Sequence, residues 1–194
     1  MAFLKKQISK LLRKDSFSKN NLDKWTLRDF TDYEKKILSL QHFCDITPQN
    51  SDIIECGVGA GAGANLLSRI SYSLNRTYYA YDTFSGFPDG NEKDNFFKSS
   101  SRNVFKCFSV EYIKDQLKYS NVSDEEINSI KFKKGFLQDT LIQYSGNPGF
   151  VFIDVDLYES YKYCLQFFYP RLIKNGVILL DEYDSPKDIK KWPG

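Results

Sequence analysis

A chain of 194 residues, 41% hydrophobic and 16% aromatic, has enough apolar surface for a core of its own, which excludes a disordered or fibrous protein and favours one main domain. Lys and Arg number 27 against 25 Asp and Glu, a net charge of +2, so bulk charge points to no nucleic-acid partner. No apolar run reaches the roughly 20 residues needed to span a membrane, and the N-terminus lacks the uninterrupted apolar stretch and small-residue cleavage site of a secretory signal. Cys44, Cys56, Cys107 and Cys164 form no CxxC pair; they read as reduced, mostly buried thiols of a cytoplasmic protein.

Charge is uneven along the chain. Residues 1–30 carry eight Lys/Arg and three Asp/Glu, net +5, which leaves −3 for the rest. Residues 2–14 read as an amphipathic basic helix with Phe3, Leu4, Ile8, Leu11 and Leu12 on one face, either a helix covering the sheet or cofactor cleft or one that meets a membrane surface. Residues 31–46 continue as a helix, with Tyr33, Ile37, Leu40 and Phe43 in register, until Pro48-Gln49-Asn50 breaks it. Asp52 to Gly57 is a strand running into a glycine loop, followed by a helix with Leu66, Leu67 and Ile70 facing inward. Thr77–Tyr81 is a second strand ending at Asp82. In the long connection over 83–129, Val110, Ile113 and Leu117 mark one helix, and Ser123-x-x-Glu126 is a capping box opening another. Ile130–Lys133 alternates like an edge strand that Gly135-Phe136 ends. Phe150–Ile153 and Val177–Leu180 are short apolar runs of the kind that form buried parallel strands. Between them Tyr161, Leu165, Phe168 and Leu172 are spaced as a helix over 160–173. The order of elements is that of a doubly wound, mostly parallel α/β sheet.

Both apolar runs end in acid. Asp154-Val155-Asp156 follows the first and Asp181-Glu182 the second. A right-handed crossover puts both clusters at the carboxyl edge of the sheet, where open α/β sheets bind ligands. Carboxylates about 4 Å apart at near-surface dielectric repel by roughly 4 kcal/mol per pair, and neither cluster contains Lys or Arg. A hard divalent metal is the simplest remedy. Asp154 and Asp181 occupy equivalent places on strands about 4.8 Å apart and can share one Mg²⁺.

The glycine loop Glu55-Cys56-Gly57-Val58-Gly59-Ala60-Gly61-Ala62-Gly63 lets the backbone turn tightly and approach a ligand at a helix N-terminus. Glu55, just before the first loop glycine, would repel a pyrophosphate but receive an ammonium. Asp82 can accept from two ribose hydroxyls, each charged bond contributing ~1.5–3 kcal/mol. An adenosyl group with a cationic amino-acid tail, S-adenosylmethionine, suits both acids. The plainer readings are a surface acid for Glu55, a turn-former for Asp82 beside Thr83, and helix N-terminal acids for Asp156 and Glu159. His42 is the one histidine, and a structural role suits it better than a catalytic one.

Glu55-Cys56-Gly57-Val58, Tyr81-Asp82-Thr83-Phe84 with Gly86-Phe87-Pro88, Asp139-Thr140-Leu141, Asp154-x-Asp156-Leu157-Tyr158-Glu159-Ser160, Tyr169-Pro170-x-Leu172 and Asp181-x-Tyr183 occur in that order. As an ordered set, over residues from about 50 to about 185, they resemble the macrocin O-methyltransferase family, bacterial enzymes that methylate sugar hydroxyls. The resemblance implies a class I methyltransferase fold, with an N-terminal helical cap over 1–50 and the methyltransferase domain over 51–194. It implies Asp154 and the Asp181-Glu182 pair as metal ligands, Asp154 or Asp156 as the group that takes the acceptor's proton, and a cofactor site on Glu55, Gly57, Gly59, Gly61, Asp82, Thr83 and Asp139. Tyr158 and Tyr183 are further candidates for the sugar side.

Three departures from the family pattern stand out. Asp181-Glu182 replaces the usual Asp-Asp, and Gly59-Ala60 replaces a frequent Trp-Arg. Five strands can be counted where the class I fold has seven, with 14 residues after Leu180, so strands 6 and 7 are expected to be missing and an uncovered sheet edge favours self-association. The expected partner is a small molecule, a sugar or glycosylated compound. Two rivals remain at this level: an NAD(P)-dependent oxidoreductase on a similar sheet, and a truncated, catalytically inactive binding module.

Overall fold

A computed structural model describes residues 32–87 and 108–181, with side chains from Ser39 onward. The expectations for the basic helix at 2–14, for Cys107, and for Glu182, Tyr183 and the C-terminal tail lie outside the described residues. These residues belong to two units, divided between Ile46 and Thr47. In the first, α1 spans Asp32–Ile46, and Gln41 Nε2 donates to Asp45 Oδ1 one turn on, at 2.9 Å.

The second unit is a five-stranded sheet. β1 (Asp52–Cys56), β2 (Tyr78–Asp82), β3 (Lys131–Lys134), β4 (Pro148–Ile153) and β5 (Val177–Leu180) lie in the order β3-β2-β1-β4-β5, every pair parallel. Between them run α2 (Ala62–Ser73), α3 (Val110–Tyr119), α4 (Asp124–Ser129), α5 (Leu137–Thr140) and α6 (Tyr158–Phe168). This is the predicted order of elements, and β3 is an edge strand as its alternation implied. None of the described helices is long and apolar enough to cross a membrane.

Burial explains the composition of the strands. β4 is buried at all six positions, which is why it reads as a continuous apolar run rather than an alternating one. One face of the sheet places Ile54, Cys56, Tyr81, Val151 and Ile153 against Leu141, Tyr144, Cys164 and Phe168. The other carries Glu55 and Phe152 toward α2, whose Leu66, Leu67 and Ile70 are buried as expected. Each fully buried side chain of this size contributes ~1.5–3 kcal/mol. Cys44, Cys56 and Cys164 are buried, as expected.

Local signals set the helix ends. The Ser123/Glu126 capping box forms in both directions, Ser123 N donating to Glu126 Oε2 at 2.8 Å and Glu126 N to Ser123 Oγ at 3.2 Å. α6 stops at Phe168, earlier than the predicted 173, and a 3₁₀ turn follows over Tyr169–Arg171. Pro170 has no N–H with which to continue the α ladder. Arg171 Nη1 donates instead to the Phe167 carbonyl at 2.8 Å, and its guanidinium lies 4.1 Å from the Phe167 ring centroid.

The amino edge of the sheet is held by two polar clamps. Buried Arg76 donates to the Ser51 carbonyl at 2.7 Å, Ser51 Oγ at 2.9 Å and Thr47 Oγ1 at 3.1 Å. Asp52 Oδ2 accepts from Tyr144 Oη at 2.7 Å and Asn147 N at 3.0 Å.

Burial raises the pKa of Tyr144, with the Asp52 carboxylate adding to it, and burial likewise raises that of Tyr81, Tyr79 and the Cys56 thiol. Above the ordinary thiol and phenol values of 9.0 and 10.0 the unfolded chain sheds these protons while the folded chain keeps them, so their stabilisation is complete below that range and is lost as pH rises. Urea denaturation between pH 7 and 10.5 should show stability falling above about pH 9, each group adding up to ~1.4 kcal/mol per pH unit. Tyr144→Phe should cost about 1 kcal/mol at pH 7 and flatten the alkaline limb; an unchanged limb would refute this account.

Candidate active site

The carboxyl edge of the sheet opens into a cavity of about 480 Å³, within the size range of small-molecule and cofactor sites. Its walls come from four strand ends. Gly57 and Gly59 follow β1, Asp82 and Thr83 close β2, and Gly135 to Asp139 follow β3. Asp154 to Leu157, with Glu159 and Ser160, follow β4.

At Gly57 the end of β1 lies close against the end of β4. Gly57 has φ +91°, and a Cβ built on it would lie 1.8 Å from the backbone oxygen of Asp154. Asp154 N donates to the Cys56 carbonyl at 2.8 Å, and Gly57 N to that of Tyr81 at 2.9 Å. The parallel ladder thus runs one residue beyond each strand, and only glycine fits at 57.

Asp82 fastens the glycine loop. Its Oδ2 accepts from Val58 N at 2.8 Å and Gly59 N at 3.1 Å; its Oδ1 accepts from Phe84 N at 2.8 Å. The Thr83 hydroxyl lies 3.3 Å from Oδ1 and 2.5 Å from the Gly86 carbonyl. A hydroxyl has one proton, and Gly86 is the nearer acceptor. Asp82 Oδ1 therefore keeps one lone pair, room for a single further donor rather than two.

Asp154 and Asp181 meet at the edge as predicted. Ile153 pairs with Leu180, so the next residue on each strand is an aspartate. The Ile153 carbonyl accepts from both Asp181 N at 3.1 Å and Tyr161 Oη at 3.0 Å, which ties the pair to α6. Asp154 and Asp156 line the cavity, whereas Asp181 is exposed and is not among the lining residues. Asp156 sits at φ +59° in a tight turn closed by Leu157 N donating to the Val155 carbonyl at 2.6 Å. That conformation costs roughly 1–2 kcal/mol, and aspartate is among the few residues that tolerate it. Among the described residues no group of three or more His, Cys, Asp or Glu side chains is placed to hold a metal ion; Glu182 is outside them.

The other candidate residues lie in different surroundings. Glu55 is not a surface acid, nor is it among the residues lining the cavity. It is 1% exposed and its carboxyl accepts from the Tyr78 hydroxyl beneath α2. Gly61, with φ +91° at the N-cap of α2, faces Ile113 rather than the cavity. Asp139 is exposed and lines the cavity. Tyr158 is absent from the lining, and His42 is exposed on α1 with its ring 5.4 Å from that of Phe43. Sequence reasoning missed Phe136, Leu137 and Gln138 as cavity walls. The signal was available, because a glycine-aromatic pair directly after a parallel strand lies on the same edge as the other ligand loops.

The family model described as macrocin-O-methyltransferase (TylF) matches residues 41–192. The chain belongs to the macrocin-O-methyltransferase family. Demethyldecarbamoylnovobiocin O-methyltransferase from Streptomyces niveus is 29% identical over 140 residues, covering 68% of this chain and 52% of the relative. A tetracenomycin-C rhamnosyl 4'-O-methyltransferase from Streptomyces olivaceus is 26% identical over 141 residues with the same coverage. The chain thus spans about half the length of the curated relatives it matches. Among solved structures, the O-methyltransferase NovP superposes with a TM-score of 0.67 at 25% identity, covering 81% of this chain and 68% of NovP. The calicheamicin methyltransferase CalS11 superposes with a TM-score of 0.65 at 23% identity, covering 100% of this chain and 80% of CalS11. The five parallel strands and their helices are the class I methyltransferase fold.

Replacing Gly57 by Ala should cost roughly 3 kcal/mol, from the left-handed backbone and the collision with Asp154 together. Chemical denaturation reads this directly, and a variant as stable as the wild type would show that the β1 loop is free to move away from β4.

Proposed function

We propose that the protein transfers the methyl group of S-adenosylmethionine to a hydroxyl of a sugar or glycosylated small molecule. One observation carries the reading: a single cavity is lined at once by the glycine loop, by Asp82, and by Asp154 and Asp156. A donor site and an acceptor site therefore share one space. Family membership supplies the reaction class; the two curated relatives named above are O-methyltransferases, and the name of one specifies a rhamnosyl compound.

In this reading Gly57 and Gly59 let the backbone approach the cofactor, and the spare lone pair of Asp82 Oδ1 accepts one ribose hydroxyl. Asp139, Thr83 and the aromatic walls Phe87, Phe108 and Phe136 close around the rest of the nucleoside. Asp156, held by its strained turn on the cavity wall, takes the proton of the acceptor hydroxyl as the methyl group moves. Positioning supplies most of the acceleration.

Mg²⁺ belongs to the same proposal. Its support is the donor set: Asp154 and Asp181 offer carboxylate oxygens at adjacent register positions, the kind a hard divalent ion takes, with Glu182 next in sequence. Bound there, the ion would polarise the acceptor hydroxyl as a Lewis acid.

Calorimetry with S-adenosylhomocysteine, NAD⁺ and Mg²⁺ in turn separates this reading from an oxidoreductase. S-adenosylhomocysteine is expected to bind and NAD⁺ is not; the reverse result would overturn the proposal. Asp154→Asn should abolish Mg²⁺-dependent methyl transfer while S-adenosylhomocysteine affinity stays within about threefold. Undiminished turnover in that variant would remove the metal role, and cofactor binding without any turnover in the wild type would identify a binding module instead.

A further inference from the structure

Glu55 is a buried acid with three neighbours that together suggest a role. Its Oε2 accepts from the hydroxyl of Tyr78, itself 1% exposed, on the adjacent strand. Its Oε1 occupies the place where a side chain on Gly63 would be, 1.9 Å from an ideal Cβ there. Gly63 lies in the first turn of α2, where glycine costs about 1 kcal/mol relative to alanine, and the carboxyl below explains why no alanine stands there. Finally, α2 begins at Gly61 with no side-chain cap and no acidic residue in its first turn. The positive end of a 12-residue helix thus lacks the usual local partners, and a carboxyl from β1 sits against it instead.

We infer that Glu55 is a positioning residue for the cofactor loop, acting through α2 and Tyr78 rather than by touching the ligand. The inference rests on the methyltransferase reading and refines it. The loop from Gly57 to Gly61 is anchored at both ends: Gly57 is wedged against Asp154, and the first turn of α2 rests on Glu55. Between these anchors Val58 N and Gly59 N hold Asp82. If the α2 end shifts, these amides shift and the Asp82 carboxylate turns with them. Glu55 therefore acts on the nucleoside end of the site, although its place in the sequence suggests the ammonium end.

Two ligands separate the alternatives. S-adenosylhomocysteine carries the amino-acid tail, and 5′-methylthioadenosine lacks it while keeping the nucleoside and sulfur. Calorimetry should show Glu55→Gln weakening both by the same factor, about tenfold, of the order that a charge contributes at a helix N-terminus. Tyr78→Phe, which keeps the carboxyl and removes its donor, should weaken both about threefold, and it carries the comparison if Glu55→Gln does not fold. Loss of affinity for S-adenosylhomocysteine alone would mean direct contact with the ammonium and would overturn the inference. So would a lowered melting temperature with unchanged affinities, the mark of a purely structural acid. A wild type that binds neither ligand would overturn the methyltransferase reading itself; a variant that binds both as the wild type does overturns this inference alone.

Discussion

The backbone oxygen of Asp154 occupies the space that any side chain at residue 57 would need. That contact is the constraint on which the site depends. It holds the end of β4 against the start of the glycine loop, so the loop turns outward over the carboxyl edge instead of continuing along the sheet. Because β4 pairs with β1 on one side and β5 on the other, the same contact sets where Asp154 stands relative to both Gly57 and Asp181. A glycine loop and an acidic edge held apart would drift independently. Here they are two sides of one van der Waals contact.

The acids of the edge do more than face a ligand. Asp82 gathers the amides of Val58, Gly59 and Phe84, and Glu55 supports α2 from below. Charge-assisted bonds of this kind contribute ~1.5–3 kcal/mol each, enough to hold loops whose glycines cost conformational entropy to order. Tyr161 performs the same service on the other side, its hydroxyl sharing the Ile153 carbonyl with Asp181 N. Rigidity at the edge comes from polar side chains reaching backbone groups, since apolar packing ends where the strands do.

The sequence made the sheet legible because buried parallel strands announce themselves as apolar runs and their ends as glycine or acid. The register of Asp154 beside Asp181 followed from two runs of matched length ending at equivalent points. The burial of Glu55 beneath α2 was not legible because a strand buried on both faces gives no alternation from which to tell which face an acid takes; the glycine eight residues later held the missing clue, legible once the carboxyl was seen beneath it. The end of α6 was placed too late because Leu172 continues the helical spacing past Pro170, and local chemistry prevailed over periodicity. Phe136 was passed over because an exposed aromatic after an edge strand looks like a strand terminator until the cavity gives it a second purpose.

Electrostatics connects these parts. Asp82, Asp139, Asp154, Asp156 and Glu159 line the cavity, and none of the described lining residues is Lys, Arg or His. The first-turn position of Glu159 on α6 is favourable for one of the five, and Asp82 is neutralised in part by its three amides. On the proposed reading the remaining field has a use: a sulfonium and a divalent ion are both cationic, and each lowers the cost of placing the other acids close together.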